Sequence, residues 1–356
     1  MEEQALEKGR KKKYIWSIAF LSILIIVTFV VIFLNYDIAE LFSIIQEVNF
    51  LWLLPAVAMI FIYIYFEGAA MRQILKTMEI NTTRRANFMY SAIDYYFCAV
   101  TPSASGGQPM VAYYMNRDGL SLSPVSLTLI MNTALFKIVL LILSIISAIA
   151  CSYLVFQFPI MIALFVIGMT INVFLIVLCF LMTFKRKWIQ AVGLRLILWC
   201  NRHKFLKRKF LWTRRFISKM DEYEAGANLI FKHKFHFAKA FLYNLIQRVA
   251  FFSMSYFVYL AFKSSFLIAE MSFIELFAIQ VTIALCVDSL PLPGGVGISE
   301  YLYVLLFGLI YCMGDIDLVG SAMLLTRAVS FYVPLIVTFI LVAIKHILGM
   351  KKVSQR

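Results

Sequence analysis

The chain has 356 residues, of which 62% are hydrophobic and 15% charged, and it carries a net charge of +14. A composition this apolar cannot cover a water-soluble globule with polar surface, so it excludes a soluble enzyme and predicts an all-α, polytopic integral membrane protein. The excess positive charge sits between apolar segments rather than on a recognisable RNA- or DNA-binding motif, which excludes nucleic acid as a partner.

Apolar runs near the ~20 residues that cross a bilayer recur at about 14–34, 51–71, 122–150, 159–184, 238–262, 272–290, 296–312 and 319–348. The first follows "GRKKK", is longer than a secretory h-region and lacks an A-x-A-like cleavage site, so it is expected to be a retained helix. Two Pro/Gly clusters interrupt the pattern, "TPSASGGQPM" at 101–110 and "LPLPGGVGIS" at 290–299. The expectation is six spanning helices plus two broken hairpins, making about eight hydrophobic segments.

Loop charges set the orientation. With the N-terminus inside, the inner loops and tails hold 29 of the 33 Lys and Arg residues, whereas the outer loops hold Lys263 together with Asp37, Glu40, Glu47, Glu270, Glu275, Asp315 and Asp317. Arg84, Arg85 and Arg117 flank the first broken stretch, 86–116, so it enters and returns from the inside. Acidic residues flank the second, 272–313, so it enters and returns from the outside. Gly106 and Gly294 lie 188 residues apart, about half the chain.

The pattern is that of an inverted repeat, with a first membrane half over 1–184, a basic linker over 185–237 and a second membrane half over 238–356. Interrupted segments at matching positions of two halves point to a midplane binding site, because unpaired backbone groups at membrane depth must be buried in protein or line a wet cavity. The plainer alternative is a pair of kinks between packed helices.

Seven ionisable residues fall inside apolar runs: Glu67, Asp94, Lys137, Arg248, Asp288, Glu300 and Arg327. Each costs about 2.5–3.5 kcal/mol at a helix centre unless it is paired or wet. Lys137 follows Gly107 by 30 residues and Arg327 follows Gly295 by 32, so a cation recurs at similar depth after each break. The expected headgroup cavity is built from Asp94, Pro102, Gly106, Gly107, Lys137, Arg248, Asp288, Pro293, Gly294, Gly295, Gly297, Glu300 and Arg327. Its cations suit a phosphate and its carboxylates an amine; internal ion pairing is the competing reading. Glu67, near the basic end of its segment, is set apart as structural.

The basic middle, 185–239, interleaves Trp188, Trp199 and Trp212 with 15 Lys and Arg residues, as an interfacial helix on an anionic leaflet would. An ordinary solvated loop is the alternative. The six cysteines and four histidines form no metal-ligand spacing, and no phosphate-binding loop of the ATPase type occurs, so no cofactor and no metal are expected.

Three stretches resemble one family. "TPSASGGQP" looks like its first Gly-rich element, "PLPGGVGISE" is similar to its P-x-P-G-G-x-G-x-x-E signature, and "LLTRAVSFYVP" is similar to its last Arg-to-Pro segment. The family is the lysylphosphatidylglycerol synthase transmembrane region, also called flippase-like. Where many members place an acid before an Arg, this chain has Phe136 and Lys137.

The resemblance implies a module in the bacterial or archaeal cell membrane, with both termini cytoplasmic. It would move an aminoacylated or other anionic phospholipid, such as lysylphosphatidylglycerol or a polyprenyl phosphate lipid, between leaflets. A phosphatidylglycerol lysyltransferase serving lysylphosphatidylglycerol synthesis and cationic peptide resistance, or its membrane subunit, is the enzymatic alternative. A non-transporting scaffold is the third reading. The synthases' soluble transferase domain is expected to be absent from a chain ending "KKVSQR", so lysyl transfer by this polypeptide alone is not expected. Membrane phospholipids are the expected partners, and homo-oligomerisation is left open.

Overall fold

The computed structural model describes residues 46–354 apart from 102–103, 157, 186–208 (190 and 195 excepted), 265, 267, 289–297 and 312–315. The described residues are predominantly helical, with no strand among them. The first apolar run, 14–34, lies outside them, as does most of the linker up to 208.

The helices are α1 (Leu53–Thr77, led in by a 3-10 turn at Phe50–Trp52), α2 (Arg84–Val100), α3 (Gly107–Arg117), α4 (Leu122–Ala150), α5 (Pro159–Phe184) and α6 (Lys209–Lys232). They continue as α7 (Lys234–Lys263), α8 (Phe273–Asp288), α9 (Ile298–Tyr311), α10 (Ile316–Arg327) and α11 (Val333–Ser354). Five stretches among the described residues are long and apolar enough to cross a bilayer: Phe50–Thr77, Leu122–Ala150, Pro159–Phe184, Lys234–Lys263 and Val319–Ile347. The chain is therefore an all-α polytopic membrane protein.

Local chemistry starts these helices where the sequence changes character. The Asn49 side chain accepts from Leu51 N at 3.1 Å, and Thr83 Oγ1 accepts from Ala86 N at 3.1 Å, each satisfying a first-turn donor. Pro159 opens α5, where its missing N–H costs nothing. Helix α5 then exposes Ile160, Ile162, Val166, Ile167, Val173, Phe174 and Val177, an apolar face that only a lipid environment tolerates. α1 packs along α7, with Ile60, Ile64, Met254 and Val258 in a shared core.

The first break is a helical hairpin. Tyr90 of α2 donates to Asp118 at the end of α3 at 2.7 Å, and Gly106 N donates to Thr101 Oγ1 at 2.9 Å, so the two helices run antiparallel with a tip at 101–106. Lys345 of α11 joins the same Asp118 at 2.6 Å and ties the open end of the hairpin to the bundle.

The second pair, α8 and α9, also packs together. It begins at the other end of α4, because Tyr153, in the short helical turn after α4, donates to Glu275 at the start of α8. Asp288, the last described residue of α8, pairs with Lys137 near the midpoint of α4. A Cβ on Gly168, in the middle of α5, would come within 2.7 Å of the Leu285 carbonyl oxygen, so the last turn of α8 sits against mid-α5 as well. Thus α2 and α3 approach from one end of α4 and α8 from the other, its last described residue lying about halfway along α4.

The run expected over 319–348 is not one uninterrupted α-helix. α10 and α11 are joined by a π-helical turn at Ala328–Tyr332, directly after Arg327. Such turns widen a helix locally and are frequent at functional sites.

α6 meets the bundle through Met220, Tyr223, Ala227 and Ile230, which join a core with Met78 and Leu127. Tyr223 donates to the Met182 carbonyl at 2.8 Å, and burial pushes its phenol pKa up. From residue 220 onward the linker is therefore packed protein rather than a solvated loop.

Candidate functional site

Helix α4 organises the candidate site, because both hairpins touch it one turn apart. Gln108, at the start of α3, donates through Nε2 to Thr133 Oγ1 at 2.6 Å. One turn further on, Lys137 Nζ is ion-paired with Asp288 Oδ2 at the end of α8. Residues four apart share a helix face, so the flanks of both breaks converge near the middle of α4.

Other polar side chains join at the same level. Arg248 is at the middle of α7, is 6% exposed, and lays its guanidinium 3.1 Å from the Phe136 ring centroid, beside Lys137. It also lies within electrostatic reach of Tyr63, Asp288 and Glu67. Stacking on an aromatic face is a geometry that arginine adopts and lysine copies poorly. Among the described residues Arg248 Nε has no hydrogen-bond partner.

On the α2 side, Glu67 accepts from Ser91 Oγ at 2.9 Å and interacts with the Asp94 carboxyl. Asp94 lies under the start of α3, so close that a Cβ on Gly107 would come within 2.5 Å of its Oδ1 and would overlap the Cys98 sulfur. Only glycine allows this approach of backbone to carboxyl. Gly106 has a related role: a Cβ there would come within 2.6 Å of Thr101 Cγ2, the residue that closes the tip.

Arg327 ends α10 and donates to Ser299 Oγ at the start of α9. It is near Tyr95, whose hydroxyl donates to the Ser330 carbonyl at 2.5 Å in the π turn. Tyr95 in turn meets Tyr63 edge-on with ring centroids 6.2 Å apart. The first hairpin, the π turn and α1 therefore meet around one pair of tyrosines.

Of the residues expected from sequence, Asp94, Gly106, Gly107, Lys137, Arg248, Asp288 and Arg327 are brought to this layer. Pro102, Pro293, Gly294, Gly295 and Gly297 lie outside the described residues, and Glu300 is placed only as a backbone position in α9. Glu67, set apart from sequence as structural, is buried at the same level, because a 25-residue α1 runs on to Thr77 and leaves it well inside the helix.

Sequence reasoning missed the uncharged members, Tyr63, Ser91, Tyr95, Gln108, Thr133, Asn244 and Gln247. A signal for them existed. Amides inside apolar runs are rare and seek partners across helices, and Asn244 indeed donates to Asn132 Oδ1 at 3.1 Å. Gln247 is fully buried, yet among the described residues neither its Nε2 nor its Oε1 has a partner. A buried amide with both ends unanswered requires water or a ligand.

Five helices able to span a bilayer, with two further helix pairs converging on a charged mid-depth layer, define a polytopic membrane protein of broken-helix architecture. The chain belongs to the family described as the lysylphosphatidylglycerol synthase TM region, whose model matches residues 14–338. No curated protein matches the chain significantly. Its membership thus rests on the family pattern and places it among membrane proteins linked to lysylphosphatidylglycerol synthesis or flippase-like activity.

Proposed function

We propose that the protein moves an anionic or aminoacylated phospholipid between leaflets, with the headgroup crossing through the mid-depth layer. The observation that carries this reading is the convergence of both hairpins on α4 through Gln108–Thr133 and Lys137–Asp288. Two half-depth elements from opposite ends create a polar level that neither leaflet reaches alone. Arg248 and Lys137 offer a phosphate charge-assisted donors, and Glu67 and Asp94 offer an ammonium group acceptors.

Exchanging partners is the chemical core of the reading. Without a headgroup Lys137 pairs with Asp288 and Glu67 meets Asp94, while Arg248 Nε and Asp94 Oδ1 have no hydrogen-bond partner among the described residues, and a zwitterionic headgroup offers both kinds of partner at once. Such a substitution lowers the barrier to bringing charge to mid-membrane, which is otherwise several kcal/mol. The two halves, 1–184 and 238–356, act as an inverted pair about this level. The basic end, with Arg72, Arg84 and Arg117, faces the cytoplasm by its Lys and Arg excess.

The test is a leaflet-exchange assay in proteoliposomes, reading chemical quenching of headgroup-labelled phosphatidylglycerol and its lysyl derivative. The wild type is expected to expose inner-leaflet label that protein-free vesicles retain. Arg248→Leu is expected to abolish the effect while melting within a few degrees of wild type. A wild type indistinguishable from empty vesicles for both lipids sinks the proposal, and lysyl-lipid formation on addition of charged tRNA would favour the enzymatic alternative.

A further inference from the structure

The basic end of the bundle carries a second, separate feature, a groove of about 520 Å³ between α1, α2 and α7. Its lining includes four cations, Arg72, Lys76, Arg84 and Lys239, and none of the described lining residues is acidic. Four cations around one concavity repel each other unless an anion fills it.

The lining is graded along the helix axes. On α1 the cations Arg72 and Lys76 lie toward the helix end at Thr77, while Tyr65 and Phe66 lie deeper on the same side of the helix. On α7 the order repeats, with Lys239 near the helix start and Tyr243 and Ile246 further in. Phe66 and Tyr243 meet edge-on with centroids 5.4 Å apart and form the inner wall, and Tyr65 is 40% exposed on the bundle surface. A groove that is cationic at the rim and aromatic towards the membrane interior has the polarity of a phospholipid rather than of a free anion.

Individual side chains are set for this ligand. Arg72 donates through Nε to the Thr82 carbonyl at 2.8 Å, which fixes its guanidinium at the wall. Asn87 donates through Nδ2 to Thr82 Oγ1 at 2.6 Å and to the Thr83 carbonyl at 2.8 Å, which fixes its amide, and its buried Oδ1 has no partner among the described residues. That acceptor suits a hydroxyl donor beside the phosphate. Lys239 Nζ lies 4.2 Å from the Phe235 ring centroid, a contact that restrains it without neutralising it.

We propose that this groove binds the phosphate-bearing headgroup of an anionic phospholipid from the leaflet at the basic end, with the acyl chains leaving past Tyr65. The site is distinct from the mid-depth layer and does not depend on translocation, so it survives failure of the leaflet-exchange assay.

The test is native mass spectrometry of the full chain in detergent, titrated with phosphatidylglycerol, phosphatidylcholine or inorganic phosphate. Wild type is expected to hold at least one phosphatidylglycerol in preference to phosphatidylcholine. Lys76→Gln with Lys239→Gln is expected to weaken that binding about tenfold. Lys232→Gln with Lys234→Gln, the same charge change outside the groove, is expected to leave it within about twofold. Equal losses in both pairs overturn the site, because diffuse attraction then suffices. Phosphate displacing the lipid at millimolar concentration overturns the lipid assignment, as does equal binding of the two lipids. Melting temperatures verify folding, and Lys76→Gln alone, expected to weaken binding about threefold, replaces the pair if the double variant is unstable.

Discussion

The residue that most needs a partner is Lys137. Its ion pair with Asp288 is partly buried, so removing one partner leaves a poorly solvated charge at a cost of about 1–3 kcal/mol, while replacing both partners by apolar residues is milder. Lys137→Met or Asp288→Leu alone is therefore expected to lower stability by roughly 1–3 kcal/mol, and the double variant by less than either single. Detergent unfolding curves of the three variants check this, and additive losses would mean the two side chains do not act as a pair. Tyr95→Phe is the mild counterpart: it removes one hydrogen bond to Ser330 O and is expected to cost about 0.5–1.5 kcal/mol. The ionisable members of the layer were legible in the sequence because charge in an apolar run is conspicuous. Tyr63, Ser91 and Gln247 were not, since their roles arise only when helices distant in sequence face each other, and the depth of Glu67 was not, because the helix end that fixes it lies beyond the apolar run.

At the scale of elements, the tip of the first hairpin shows how sequence and backbone agree and where they conflict. Gly106 and Gly107 fit a turn too tight for a side chain, so Gly107→Val is expected to spread α2 and α3 apart and cost about 1–3 kcal/mol. Ala104, by contrast, sits at φ +51°, a left-handed conformation that costs a non-glycine residue about 1–2 kcal/mol. Ala104→Gly is expected to be neutral or to stabilise by up to about 1 kcal/mol, measured as a rise in melting temperature; a fall of several degrees would contradict the conformational argument. The first break was readable from Pro and Gly, the tip of the second lies outside the described residues, and α4 and α5 begin and end where their apolar runs do. The π turn at Ala328–Tyr332 was not readable, because "AVSFY" is compatible with an ordinary α-helix and only the Tyr95 contact to Ser330 marks its wider ring. Nor did the linker show its packing in advance, since Tyr223 and Ala227 find their core only against α4 and the end of α1.

At the scale of the whole molecule, the charge asymmetry and the two opposed hairpins describe a bundle with two unlike ends and one shared middle. In a cysteine-free background, Lys234→Cys is expected to react with a membrane-impermeant thiol reagent only after cells are opened, and Tyr153→Cys in intact cells. The reverse pattern would overturn the orientation that places the basic groove at the cytoplasmic leaflet. In the proposed function a lipid headgroup reaches the level of Gln108, Thr133 and Lys137. This is tested most directly by reconstituting the protein with phosphatidylglycerol carrying a photoreactive headgroup and mapping the adducts by peptide mass spectrometry. Headgroup adducts are expected on α4 around residues 133–137 and on α2 around residues 91–95. Adducts confined to the two ends of the bundle, with none at mid-depth, would contradict it.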